Sequence, residues 1–168
     1  MTNGWYLVVL MFVPLLLFTP PTVEAKQQVG WIENVRIHPG DILVRAKLDT
    51  GAQTSSLNCE CQQTFSRDGE QWVRFTLTNH KGESVQVERK IHRVARIKQH
   101  GGGVQERLVV ILGICLGDIQ KQVEVNLVDR SGFNYQLLIG RSFLKDDFII
   151  DPSSTYTVAP HCAPTSGK

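Results

Sequence analysis

Along much of the chain, apolar and polar side chains alternate with a period of two. In WVRFTLT, Val73, Phe75 and Leu77 interleave with Arg74, Thr76 and Thr78; in VEVNLV, Val123, Val125 and Leu127 interleave with Glu124 and Asn126. Successive side chains of a strand point to opposite faces, so both stretches predict half-buried strands. Turn signals separate such stretches at short intervals: Pro39 with Gly40, Asp68 with Gly69, Lys81 with Gly82, Gly101 to Gly103, Gly117 with Asp118, and Ser131 with Gly132. Strands so spaced predict one all-β domain, a small barrel or sandwich, over about residues 29–158. A continuous apolar run, YQLLIG, predicts a buried strand whose Gly140 passes close to another backbone. After it, RSFLKDD (141–147) is the one stretch expected to form a short helix.

The first 25 residues stand apart from this pattern. Trp5 to Phe18 carries no charge and is too short to span a bilayer comfortably. A Pro-rich break follows, and Val23, Glu24 and Ala25 offer a small-residue cleavage pattern, so 1–25 is expected to be a signal peptide and 26–168 the mature domain. The alternative is an uncleaved N-terminal anchor, because Met1 to Gly4 supplies no Lys or Arg. Export, to the periplasm, is the expected localisation.

Composition then narrows the function. Of 168 residues, 42% are hydrophobic and 20% charged, enough to build an ordinary core. The net charge is +2, and removing 1–25 takes away one Glu and no Lys or Arg, giving +3. With Lys and Arg scattered rather than clustered, no nucleic-acid partner is expected. All four cysteines, Cys59, Cys61, Cys115 and Cys162, follow the leader, and an oxidising compartment would permit disulfides. Cys59 and Cys61 are too close along a strand to pair readily with each other. Cys162 is expected to bond one of those two, with Cys115 a small buried residue in its apolar run.

The candidate chemistry begins at AKLDTGAQTSSLN (46–58), where a strand ends on Asp49 and a run of small residues. A DTG triplet alone is compatible with a plain turn. It is joined, however, by LVDRSGFNYQLLIGRSFL (127–144). DTGAQTSSL followed by this second stretch resembles the retropepsins, the single-domain aspartic proteases, and most closely their bacterial relatives often labelled ATP-dependent zinc proteases. The resemblance spans roughly residues 29–157. The customary label promises ATP and zinc, yet the chain has neither a GxxxxGK[ST] loop nor an HExxH motif, so no cofactor or metal is expected.

The resemblance implies a small closed acid-protease barrel with a short C-terminal helix, and an endopeptidase acting on a peptide or protein. Asp49 would act as acid or base in a pair of carboxylates that share one proton. Thr50 would tie two site loops together, Gly51 would let a backbone N–H approach the carboxylate, and Ala52 would keep the neighbouring wall low. The chain has one DTG, and Asp129 and Asp151 both lack a glycine two residues on. A homodimer is therefore expected, with Asp49 from each subunit. A flap hairpin is expected over 96–106, its tip at Gly101, Gly102 and Gly103 contacting substrate with Ala52 and Gln53; His100 is a substrate contact or a solvated loop residue. Gly140 and Arg141 would be structural. Gln53 stands where the retroviral enzymes carry an acid, which leaves the partner of Arg141 open, and an added hairpin around FSRDGEQWVRF lengthens the span between the two motifs. Thr54, Ser55 and Ser56 are read as turn and strand polarity.

Two other classes remain in view: a retropepsin-shaped binding or regulatory module that hydrolyses nothing, with a membrane-associated partner as one option, and a metal site from Cys59, Cys61, Cys162 and some of His38, His80, His92, His100 and His161. The Cys and His spacings match no recognised zinc pattern.

Overall fold

The computed structural model describes residue 1 and residues 25–98, 101–130 and 132–162, with side chains for all but 60–62. The expected leader therefore lies almost wholly outside the described residues, as does His100. Ten strands and one short helix follow in order: β1 (Gln27–His38), β2 (Ile42–Leu48), β3 (Ser55–Asn58), β4 (Glu60–Arg67), β5 (Glu70–Thr78), β6 (Ser84–Lys98), β7 (Val104–Leu116), β8 (Ile119–Val128), β9 (Leu137–Ile139), α1 (Arg141–Leu144) and β10 (Phe148–Thr155).

Pairing runs β1–β2–β9–β3–β8–β7, and β7 returns to β1 at Arg36–Cys115, Ile37–Ile114 and His38–Gly113, closing a six-stranded barrel. Closure leaves the six strands of the ring without an open edge, and the edges of the sheet fall to β10 and β4 outside it. β10 lies outside the ring, parallel to β1, while β6, β5 and β4 extend the sheet beyond β7. β6 serves both parts: Ser84–Lys90 pairs with β5, and Ile91–Lys98 with β7. The added hairpin foreseen around FSRDGEQWVRF is thus β4 and β5, with its turn at Asp68 and Gly69. Among the described residues no helix is long and apolar enough to cross a membrane.

The period-two pattern maps directly onto burial. Val73, Phe75 and Leu77 face the core at 1% exposure or less, as do Val125 and Leu127 on β8 at 2% or less. Asn126 departs from it: expected on the polar face, it is buried, and its amide donates to Thr54 Oγ1 (2.9 Å) and to the Ser55 carbonyl (3.0 Å). The barrel covers both faces of this end of β8, so a polar residue is tolerated there because it is hydrogen-bonded. α1 is shorter than the expected 141–147. Phe143 and Leu144 are buried, and Phe143 stacks on Phe148 at 5.5 Å, but Asp147 leaves the helix to pair with Lys121 and to accept the Gln27 amide through its carbonyl (2.7 Å).

The cysteine expectation needs correction. Cys162 is bonded to Cys115, with Cα atoms 6.0 Å apart, and not to Cys59 or Cys61. Cys115 is fully buried, as expected, but it lies at the end of β7 beside the Gly117 turn, where the His161 amide donates to the Gly117 carbonyl (2.8 Å). That contact brings the tail to Cys115; Cys59 lies in the core at the end of β3.

Three carboxylates make the fold sensitive to acid. Hydrogen bonds from Arg67 and Arg74 hold Glu88 below the usual range; Arg93 does the same for Glu124; and at Asp151 the bonds come first from the Ser153 hydroxyl and amide, then from Ser154. In each case the folded pKa lies below the unfolded one. The stabilisation is therefore complete above the unfolded value, about 4, and is lost as pH falls through the folded value. The melting temperature is expected to drop as pH is lowered from about 5 to about 3, and Asp151→Asn to flatten that drop, measured by thermal unfolding at stepwise pH.

Candidate active site

Asp49 follows the last residue of β2, and two neighbouring strands fix it. β9 is inserted between β2 and β3, parallel to the first and antiparallel to the second. The Asp49 amide donates to the Ile139 carbonyl (2.8 Å), and beyond it Arg141 N and Ser142 N donate to the carbonyls of Ala52 (2.9 Å) and Gln53 (3.0 Å). The Asp49 loop and the Gly140 turn are therefore laced together by backbone bonds, which bind two motifs separated by about 90 residues.

The glycines show why small residues stand here. A Cβ on Gly140 would sit 2.7 Å from the carbonyl carbon and oxygen of Thr54, and one on Gly51 would sit 3.1 Å from Asp49 Oδ1. The first is the close backbone passage that the apolar run predicts. At the second, the Gly51 amide donates to Oδ1 at 2.9 Å, so the carboxylate is held by its own loop. Ser55 and Ser56 are buried linkers: Ser55 Oγ accepts from Gly140 N (3.2 Å), and Ser56 Oγ from Arg130 Nη1 (3.0 Å). They carry strand polarity inward, to backbone and arginine.

Arg141 has found its partners without an acid at position 53. It donates to the Thr50 carbonyl (2.7 Å) and to Gln53 Oε1 (3.2 Å). A neutral amide thus takes the acceptor role, and the arginine clamps both ends of the loop. Thr50, Gly51 and Gln53 are exposed beside it.

A cavity of about 440 Å³ opens next to Asp49, lined by Trp31, Lys47, Asp49, Arg130, Phe133, Asn134, Tyr135 and Leu138. Its walls are aromatic: Trp31 meets Tyr135 edge-on at 6.3 Å, and the Arg130 guanidinium lies 4.4 Å from the Phe133 ring centroid. Apart from Asp49, its charges are basic. Lys47 Nζ stands 3.9 Å from Asp49 Oδ2, while Arg130, whose ionisation is weakened first by burial and then by nearby Arg107, is also within electrostatic reach of Asp49. Among the described residues no second carboxylate lines this cavity; Asp129 lines a different hollow and Asp151 is tied into β10 by Ser153.

The sequence reading overlooked Lys47 and gave Arg130 no role. Lys47 was accessible to it, since residues 47 and 49 share a face at period two. Arg130 was not, because its neighbours Ser56, Asn58 and Tyr135 belong to other segments.

The hairpin expected over 96–106 is formed by β6 and β7, paired from Ile91–Val110 to Lys98–Val104. Gly101, Gly102 and Gly103 lie at its exposed tip, all with positive φ of 94° to 101°, a backbone shape that favours glycine. Arg107 lies on this hairpin, and its guanidinium donates to Gln105 Oε1 at 2.7 and 2.9 Å. Among the described residues no group of three or more His, Cys, Asp or Glu is placed to hold an ion; the side chains of Cys61 and His100 lie outside that description.

The barrel, the inserted β9 and the laced DTG and IGR turns define a single-domain acid-protease fold of the retropepsin type. The chain belongs to the RimB-like family, described as retropepsin-like aspartic endopeptidase RimB, which matches residues 28–161. Among solved structures, a protein of unknown function from Legionella pneumophila, Lpg0085, superposes with a TM-score of 0.67 at 32% identity, covering 77% of this chain and 96% of that one. Curated relatives carry another name. Proteins called probable alpha-L-glutamate ligase are 32% identical over 116 residues in Shewanella halifaxensis and 33% identical over 113 in Desulfotalea psychrophila, matching 67% and 66% of this chain. The chain spans only about a quarter of their length, 25% and 24%.

Proposed function

We propose that this protein is an exported aspartic endopeptidase in which Asp49 from each of two subunits forms the catalytic pair, and that it cleaves acidic stretches of peptide. The observation that carries the reading is the placement of Asp49: oriented by the Gly51 amide, on a doubly laced loop, at the mouth of an aromatic-walled cavity. One carboxylate per chain calls for a second copy, and an isologous twofold supplies it. Two carboxyls about a hydrogen bond apart share one proton. The ionised one takes a proton from water as the water oxygen bonds to the substrate carbonyl carbon. The protonated one donates to the carbonyl oxygen, and a proton is returned to the amide nitrogen as the C–N bond breaks. The glycine-tipped hairpin would close over the bound peptide and exclude water.

The acidic preference is supported by Lys47 and Arg130 at the cavity, with Arg107 near Arg130, since like charges held together favour an anion between them. The names of the curated relatives, which refer to glutamate ligation, agree with this chemistry. The Cys115–Cys162 bridge supports an oxidising compartment.

The test is cleavage of peptides carrying glutamate runs, neutral runs or lysine runs by the full chain, with mass recorded in solution. Dimeric protein is expected to cut the glutamate peptides first, and Lys47→Glu to lower kcat/KM on them about tenfold or more, as placing like charges together costs at least ~1.4 kcal/mol. A folded dimer that cleaves none of the three would overturn the reading in favour of a binding module.

A further inference from the structure

Strand β6 changes partners midway, and the change is made at a bulge. Up to Lys90 it pairs with β5; from Ile91 it pairs with β7, where Ile91 stands against Val110 but Arg93 against Val109, so His92 is the extra residue. A bulge bends a strand, increases its twist and re-aims the side chains around it. In a regular strand Arg89 would face away from Lys90 and His92. Here all three line one hollow of about 280 Å³, together with half-buried Ile111 of β7. The hollow shares no lining residue with the cavity at Asp49.

This hollow is short of negative charge. Arg89 stands against Val73 and shares the core-facing side of β6 with Val87, both buried. Half-buried there, its guanidinium gives one hydrogen bond among the described residues, to the carbonyl of neighbouring Glu88 (3.3 Å), and meets no carboxylate. Burial accordingly pulls its ionisation below the usual arginine value. The acids nearby are committed: Glu88 to Arg67 and Arg74, Glu70 to Lys90, and Glu124 to Arg93 and His92. Arg89, Lys90 and Arg93 set against Glu70 and Glu124 leave one positive charge, and two when His92 is protonated.

We propose that this hollow binds a phosphate monoester, free or on a lipid headgroup, with the Arg89 guanidinium as its fixed fork and Lys90 and His92 turning in to the remaining oxygens. A phosphate monoester carries up to about two negative charges and an acceptor oxygen for each of these side chains. A carboxylate offers about half that charge and fewer oxygens. Arginine's planar fork meets two phosphate oxygens at once, which suits it for the part that cannot move. Lys90 can turn at little cost, because its pair with Glu70 is exposed at both ends and such pairs contribute little to stability. His92 is likewise exposed. The site lies where β6 enters its hairpin with β7, outside the Asp49 cavity, and does not depend on peptide cleavage.

The probe is inorganic phosphate, titrated into the full chain at low ionic strength and followed by backbone amide NMR shifts. Beside it, co-sedimentation is measured with vesicles of phosphatidate in phosphatidylcholine and of phosphatidylcholine alone. Phosphate is expected to shift amides over 88–93 and 110–112, and to bind about tenfold tighter than glutamate. Arg89→Gln should weaken binding about tenfold or more. Arg45→Gln, the same loss of charge at an exposed position on β2, should leave it unchanged. Phosphate binding that Arg89→Gln removes upholds the site with a free ester as its source. Capture by phosphatidate vesicles alone, lost in Arg89→Gln, upholds it with a lipid headgroup. If Arg89→Gln fails to fold, Lys90→Gln combined with His92→Gln takes its place, with the same loss expected. Absence of both kinds of binding would overturn the proposal. So would glutamate binding equally well, an equal loss in Arg45→Gln, or shifts confined to Lys47 and Arg130 at the other basic cavity.

Discussion

Asp49→Asn is expected to reduce peptide cleavage by at least about 10³-fold while leaving the fold and the solution mass unchanged. In a symmetric dimer the substitution removes both carboxyls, hence the acid and the base together, and each such role contributes roughly 10²- to 10⁴-fold. Asn keeps the shape of the side chain and can still accept the Gly51 amide through its carbonyl oxygen, so the loop has no reason to collapse. The check is kcat/KM on the best peptide, with sedimentation and thermal unfolding on the same samples. Mixed dimers of one wild-type chain and one Asp49→Asn chain sharpen the result: if each site needs one carboxyl from each subunit, they should be as inactive as the pure variant. A variant retaining full activity would remove Asp49 from the chemistry.

Gly140→Ala is expected to cost about 3 kcal/mol or more in stability, the upper end of what overpacking a core produces. The new methyl would lie 2.7 Å from the Thr54 carbonyl carbon and oxygen and 2.9 Å from the Gln53 carbonyl carbon. These are backbone atoms and cannot rotate away as a side-chain tip would. The φ of −93° at Gly140 is open to alanine, so the penalty arises from contact and not from conformation. Relief would require moving the Gly140 turn off the Asp49 loop, breaking the bonds from Arg141 N and Ser142 N. Activity should fall further than stability alone explains. Urea unfolding with kcat/KM at a temperature where the variant remains folded separates the two. By contrast, a Cβ at Gly132 meets nothing within 4 Å, and Gly132→Ala should be close to neutral.

The alternation in WVRFTLT and VEVNLV predicted both strand identity and core face, because period two is a local property of the extended chain. The turn glycines were legible for the same reason, as positive φ at Gly69, Gly82 and Gly117 is a local demand. The DTGA and LLIGR stretches could be linked through resemblance, and Gly140 could be assigned a close approach, since a glycine ending an apolar strand has few other uses. What was not legible depends on which segments meet. Period two gave Asn126 a polar face, but the barrel buried it against Thr54 and Ser55. The four cysteines allowed three pairings, and only the path of the tail past Gly117 selected Cys115 for Cys162.

By itself, then, the sequence determined the all-β class, the strand faces apart from Asn126, the turns and the single DTG at Asp49, all set by chemistry within a few residues of one another. The tertiary structure alone decided the closure of β7 on β1, the basic and aromatic lining contributed by Lys47, Arg130 and Trp31, the neutral acceptor that Gln53 offers Arg141, and the buried Glu33 that fastens the tail. Each of these joins residues distant along the chain, and their meeting depends on long-range strand pairing and packing that no local pattern encodes.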